Sequence, residues 1–348
     1  MRENKRFRRV YLHVGLGKTG TSTIQNYLAL HAARFESEHD LHFPHVFDLA
    51  APFAGNHSEL LQTIATPEVE PLNTHTLSTS VAVNREGLSV EQVRVQFERG
   101  FSDSQASQLL ISAEAVGHFD STKMMLLASW LGKYSDRVEV IACIRHPAAA
   151  LSSEIQQRLR FGAVLKDLYE NPPYYSFRGL LPRLEAAFPG SHVVLYDFDT
   201  ASRCSSGIVG TFLQKIGIEE SLRGGLPRPM NPSMSQYGAM LLSALNDARS
   251  CGDTAFTSKG SIPKDVAPFL RIPGRKFQAV PRAYERLEQV VERDLLWLER
   301  EYGLSLTRRE INFYSQKFFL GEPWMTKIAL AISACYSAFC WCRALGKK

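Results

Sequence analysis

Val10, Leu12 and Val14 form a strand-like apolar run that stops at Gly15, Gly17 and Gly20. Beyond it, Ile24, Tyr27 and Leu28 face one side of a helix opened by Thr21 and Ser22. This predicts strand, glycine loop, helix. Three further apolar runs, at 108–114, 138–144 and 193–198, read as strands. Helices are predicted at 89–101 (Val90, Val93 and Phe97 on one face), 177–188 and 236–248. A long amphipathic helix is expected over 282–302, with Leu287, Val290, Val291, Leu295 and Leu298 inward. Residues from about 50 to 87 are rich in Pro, Ser, Thr and Asn, with one helical patch at 58–65. They read as an insertion or cover. The expected fold is a single α/β domain with a central parallel sheet and helices on both faces.

Chemistry concentrates at the first loop. Glycines let the chain turn back so that successive N–H groups point inward, and the following helix adds its positive end there. The product is a cradle for a phosphate. Gly15, Gly17 and Gly20 satisfy G-x-G-x-x-G, and Asp40 lies about twenty residues on, as a dinucleotide fingerprint wants. No apolar run leads into Asp40, however. Gly15, Gly20, Thr21 and Ser22 also fit G-x-x-x-x-G-K-[ST], except that Thr21 stands where the lysine belongs. The lysine sits inside the loop instead, at Lys18, where it reaches the bridging side of a single cradled phosphate.

The segment Lys18-Thr19-Gly20-Thr21-Ser22, between strand and helix, resembles the 5′-phosphosulfate loop of sulfotransferases that use 3′-phosphoadenosine 5′-phosphosulfate. A second stretch, 138–157, resembles that family's 3′-phosphate motif: a strand ends at Arg145, Pro147 breaks it, and Ser153 follows eight residues after the arginine, near a helix start. An arginine fork matches phosphate oxygens, and a serine hydroxyl adds a donor. The plain alternative is that Arg145 pairs with a surface carboxylate and Ser153 caps a helix.

The resemblance implies a three-layer α/β/α fold of the P-loop nucleotide-kinase type. It also implies transfer of a sulfonyl group to an acceptor hydroxyl without a metal. Amides from Thr19 to Thr23, with the hydroxyls of Thr21 and Ser22, would hold the 5′-phosphate. Lys18 would meet charge on the bridging oxygen, and Arg145 with Ser153 would hold the 3′-phosphate. Family members use a histidine or a glutamate as the base. Glu114, ending the strand at 108–114, is the first choice, against a role as helix cap or as partner of Lys18 or Arg145. His118, Asp40 and His42 are the other candidates.

Two rival functions stay open. In a P-loop kinase, Asp197 at the end of VVLYD would hold magnesium. In a non-catalytic relative, the same cradle would bind a nucleotide or a partner.

The chain has 348 residues, 45% hydrophobic and 22% charged, with a net charge of +5. That suits anionic ligands, but no basic stripe interleaved with aromatics points to nucleic acid. His39, His42 and His45 lack the cysteine or carboxylate partners of a good metal site. The six cysteines show no paired metal spacing and read as reduced thiols. Serines 233 and 235 read as caps for the helix that follows. Lys259 and Gly260, or Arg275 and Lys276, match the family's late basic cluster poorly.

The basic tail, 1–9, reads as a solvated end and passes into the first strand with no hydrophobic region. A cytoplasmic protein is therefore expected. The catalytic part is expected over 10–322 and a hydrophobic tail over 323–348. In that tail fifteen uncharged residues separate Lys327 from Arg343, short of the twenty or so that span a bilayer. Peripheral contact with the inner membrane face is the preferred reading, with a buried helix or dimer contact as alternatives. The expected acceptor is a glycan or glycolipid, with a small alcohol as the alternative.

Overall fold

All four apolar runs fold as strands of one sheet: β1 (Arg9–Val14), β3 (Gln108–Ala113), β4 (Val138–Ile144) and β5 (Val193–Asp197). A two-residue β2 (Leu41–His42) joins them at one edge. Every pairing is parallel, and the order is β2-β3-β1-β4-β5. The chain leaves β1 toward one side of the sheet and later crosses to the other. The carboxyl end of β1 is thus the switch point where such sheets place ligands.

The computed structural model describes residues 5–44, 55–66, 90–191, 193–219, 233–250, 266–306 and 323–345. In chain order its helices are α1 (Thr21–Leu30), α2 (Ala32–His39), α3 (Ser58–Ile64), α4 (Val90–Asp103), α5 (Ser121–Leu131), α6 (Pro147–Arg160) and α7 (Leu165–Glu170). They continue as α8 (Phe177–Ala187), α9 (Phe198–Ala201), α10 (Gly207–Lys215), α11 (Gln236–Ser250), α12 (Pro281–Glu285), α13 (Glu288–Tyr302) and α14 (Pro323–Leu345). The helix expected over 282–302 is therefore two, α12 and α13.

The chain divides into two compact units that interleave along it. One comprises Met1–His146, Ser176–Met230 and Asp294–Thr307; the other comprises Pro147–Tyr175, Asn231–Arg293 and Arg308–Lys348.

The first unit holds the sheet, covered on both faces. Because strand side chains alternate, Val10, Leu12 and Val14 enter one core with Leu109, Ile111, Val140 and Ala142, under α3, α5 and α8. Tyr11, Leu110, Ile141 and Cys143 enter the other, under α1, α2 and α10. The result is three α/β/α layers.

Within the segment 50–87, read as an insertion or cover, Leu60, Leu61 and Ala65 are fully buried in the first core; apart from 55–66 the segment lies outside the described residues. The basic tail is not wholly solvated either. Arg6 donates to the carbonyls of Phe101 (3.0 Å) and Ala106 (2.9 Å), and Arg9 lies within β1, 3.4 Å from the Glu139 carboxylate.

In the second unit, α6 is tied to α11. Asn246 donates to the carbonyls of Leu159 and Ala163, both at 2.8 Å, and Gln156 accepts from the Met234 amide at 2.7 Å. Ser235 accepts from the Gly238 amide (3.0 Å), the capping role expected of it. Of the late basic candidates, Arg275 and Lys276 are exposed in this unit; 259 and 260 lie outside the described residues.

Candidate functional site

Strand register places the residues around the glycine loop. Val14 lies beside Ala113 on one side and Ala142 on the other. Gly15 donates to the Ala113 carbonyl at 3.2 Å, so Glu114 emerges directly alongside the loop. On the other side β4 runs on to Ile144, paired with Asp197, and Arg145 follows. By alternation Arg145 shares the sheet face of Cys143, the face carrying α1. Its guanidinium donates to the Lys18 carbonyl at 3.2 Å and lies 4.7 Å over the Phe198 ring. Residues 127 positions apart thus meet at the loop.

The loop is tightly wound. Lys18 (φ 64°) and Gly20 (φ 78°) are both left-handed, a conformation that costs a side-chain-bearing residue roughly 1–2 kcal/mol. A Cβ on Gly15 would lie 2.5 Å from Thr21 Cγ2, and one on Gly20 would lie 3.3 Å from Phe198 Cε2. Gly15 is needed for close approach and Gly20 for its left-handed backbone. Thr19 is buried, its hydroxyl donating to the Leu16 carbonyl at 2.6 Å. Thr21 is buried against Gly15, which leaves Ser22 the more open hydroxyl.

The amides are not all equivalent. Those of Thr23 and Ile24 donate to the Gly20 carbonyl at 2.9 and 3.1 Å. The amides of Thr21 and Ser22, in the first turn of α1, have no intrahelical acceptor. A left-handed turn running into such a helix end is a concave anion cradle, and the residues present fit a phosphate group.

Glu114 is half-buried and precedes a 3₁₀ turn (Ala115–His118), which its side chain does not cap. That removes the capping alternative. Ser58, at the start of α3, accepts from the amides of both Glu114 (2.8 Å) and Ala115 (3.1 Å) and so pins the backbone there. His57 beside it completes the edge of β3: its amide donates to the Ser112 carbonyl, and its Nδ1 accepts from the Ser112 amide at 2.9 Å. His118, at the end of the 3₁₀ turn, is exposed. Periodicity gave no signal for Ser58, because a serine opening a helix reads as that helix's own cap.

Two candidate bases lie at the wrong end of the sheet. Leu41 pairs with Gln108, the first residue of β3, whereas Glu114 follows the last. Six residues of strand separate these levels by about 20 Å. Asp40 ends α2, with its carboxylate accepting from the Ser107 amide (2.6 Å) and the Ser107 hydroxyl. Those bonds, the hydroxyl's foremost, hold its pKa below the ordinary value. His42 Nδ1 lies 3.2 Å from the Glu36 carboxylate.

Two further expectations meet the structure. Ser153 is the seventh residue of α6, so it does not cap that helix; it belongs to the second unit and is half-buried there. Asp197 accepts from the amides of Asp199 (3.2 Å) and Thr200 (2.9 Å) and from the Thr200 hydroxyl (2.6 Å), capping α9. That is the work of a structural acid.

Beneath the loop lies a buried polar network that the sequence reading missed. Gln25 donates to Ser112 Oγ at 3.2 Å, and the same Oγ is hydrogen-bonded to His13 Nδ1 at 2.8 Å. Burial pushes His13 down to about 3, so it stays neutral. Among the described residues, no group of His, Cys, Asp or Glu is arranged to hold a metal ion; His45 lies outside them. The described cysteines Cys143, Cys204 and Cys335 are unbridged.

No family model matches this chain, and no curated protein matches it either. Two of the solved structures similar to it are sulfotransferases. One, from Alicyclobacillus acidocaldarius, is 16% identical and aligns over 69% of this chain and 92% of its own, with a TM-score of 0.34. The other, the sulfotransferase domain from the curacin biosynthetic pathway, is 11% identical over 81% and 96%, with a TM-score of 0.32. Likeness at that level carries no argument about chemistry, which rests on the residues themselves.

Proposed function

We propose that this protein is a sulfotransferase that moves a sulfonyl group from 3′-phosphoadenosine 5′-phosphosulfate to an acceptor hydroxyl. The observation that carries the reading is the hydrogen bond from Arg145 to the Lys18 carbonyl, which joins the two separated motifs at one loop. The amides of Thr21 and Ser22, with the Ser22 hydroxyl, take the 5′-phosphate. Arg145 takes the ribose 3′-phosphate, a role the resemblance shares with Ser153.

Glu114 removes the acceptor proton as the acceptor oxygen bonds to sulfur. The bond from sulfur to the bridging oxygen breaks, its electron pair stays on that oxygen, and the Lys18 ammonium meets the charge. A glycan or glycolipid hydroxyl is the acceptor class we favour. The kinase alternative loses support on two counts. Thr21 replaces the expected lysine, and Asp197 is occupied as a helix cap.

Calorimetric titration with adenosine 3′,5′-bisphosphate, adenosine 5′-monophosphate and magnesium ATP tests the reading. The bisphosphate should bind about 10²-fold or more tighter than the monophosphate, as loss of a charged contact worth about 3 kcal/mol implies. In Arg145→Ala that ratio should collapse, whatever happens to absolute affinity. Equal binding of the two adenosine phosphates, or preference for magnesium ATP, would overturn it.

A further inference from the structure

Over the side chains described, 323–336, helix α14 buries one of its sides. Met325, Ala329 and Ser333 recur every four residues and are buried, and Arg249 of α11 donates to the Ser333 hydroxyl at 3.2 Å. A second stripe, Trp324, Ile328, Ala331 and Cys335, is exposed, with Leu330 and Ala334 beside it. Trp324, Ile328 and Leu330 are 51%, 44% and 46% exposed. Lys327 is the one charged residue among the side chains described on this helix. Large apolar side chains left open along one stripe mark a surface that something covers.

We infer that this face docks on an anionic lipid bilayer, with the helix lying in the plane of the membrane. Residues 323–348 carry Lys327, Arg343, Lys347 and Lys348 and not one acid. That charge complements an anionic surface. A second copy of the helix would instead bring four positive charges against four more, with no acid to offset them. Tryptophans at 324 and 341 bracket the run with the residue type suited to the headgroup boundary. The helix does not span: its Met325, Ala329 and Ser333 side is buried, and no helix among the described residues is long and apolar enough to cross a membrane. One packed side and one open apolar side are the geometry of an interfacial helix. This inference rests on α14 alone and is independent of the sulfotransfer reading.

Co-sedimentation of the full chain with vesicles of phosphatidylcholine, alone or with about a third phosphatidylglycerol, tests it. The anionic vesicles should bind at least about tenfold tighter, and the difference should shrink in high salt. Ile328→Glu should weaken binding by about tenfold or more and Lys327→Glu by about fivefold or more. Both positions are exposed, so the circular dichroism spectrum and melting midpoint should hold; Leu330→Ser is the second apolar variant should Ile328→Glu perturb them. Three results would each overturn the inference: no binding to either vesicle, equal binding to both, or lipid-free self-association that Ile328→Glu abolishes.

Discussion

The two edges of the sheet use charge in opposite ways. At the amino edge, Asp40 accepts from the amide and hydroxyl of Ser107. Glu36 accepts from the Ser104 hydroxyl (2.5 Å) and the Gln105 amide (3.2 Å), and Arg6 is spread over backbone carbonyls. Those bonds hold the loop between α4 and β3 against the end of α2. At the carboxyl edge an arginine from a distant strand instead reaches the turn that holds Lys18 and Gly20. Backbone strain does not separate the edges, because Asp40 (φ 53°) is left-handed as Lys18 (φ 64°) is; what separates them is the set of bonds each carboxylate makes. The contrast separates carboxylates that look alike in sequence. Asp40 ties loop to helix, and Glu114 follows β3 beside the glycine loop.

The largest test exchanges those two acids. Glu114→Gln should lower turnover by about 10² to 10⁴, the usual contribution of a general base, and leave the thermal midpoint in place. Asp40→Asn should leave turnover within about twofold and lower stability by about 1 kcal/mol. Donor consumption with a panel of sugar and lipid-linked sugar acceptors, set beside urea denaturation, reads both. Similar losses of turnover in the two variants would erase the distinction between the edges.

Lys18→Gly should move rate and stability in opposite directions. Glycine relieves the left-handed strain, for a gain of up to about 1 kcal/mol. Losing the ammonium should cost about 10² in turnover. A fall in both quantities would make Lys18 a structural residue.

The smallest effect is an acid one. The folded pKa of Asp40 lies below the ordinary aspartate value of 3.8, so its bonds stabilise the fold above that value, and the contribution fades as pH falls through the lowered one. The urea midpoint should therefore drop at acid pH, and Asp40→Asn should flatten part of that drop. A parallel pH profile in the variant would show that the Ser107 bonds contribute nothing.

Local order and strand alternation were legible in the chain itself. Val10, Leu12 and Val14 announce a buried strand, the glycines a turn, and Ile24, Tyr27 and Leu28 a helix, because each signal lies within a few residues of its effect. The carboxylates were not legible in that way. A polar side chain's role depends on which groups lie across from it, and Asp40 faces Ser107 only because β2 pairs with the first residue of β3. Ser58, which the sequence places only in a helical patch, likewise accepts from amides 56 and 57 positions away.

Sequence alone thus determined the α/β alternation, the glycine turn and the two phosphate-like motifs, since these follow from short-range periodicity and backbone freedom. Tertiary structure alone decided which strands became neighbours, and so which edge each charge occupies. Parallel pairing joins segments about a hundred residues apart, and no local pattern carries that register.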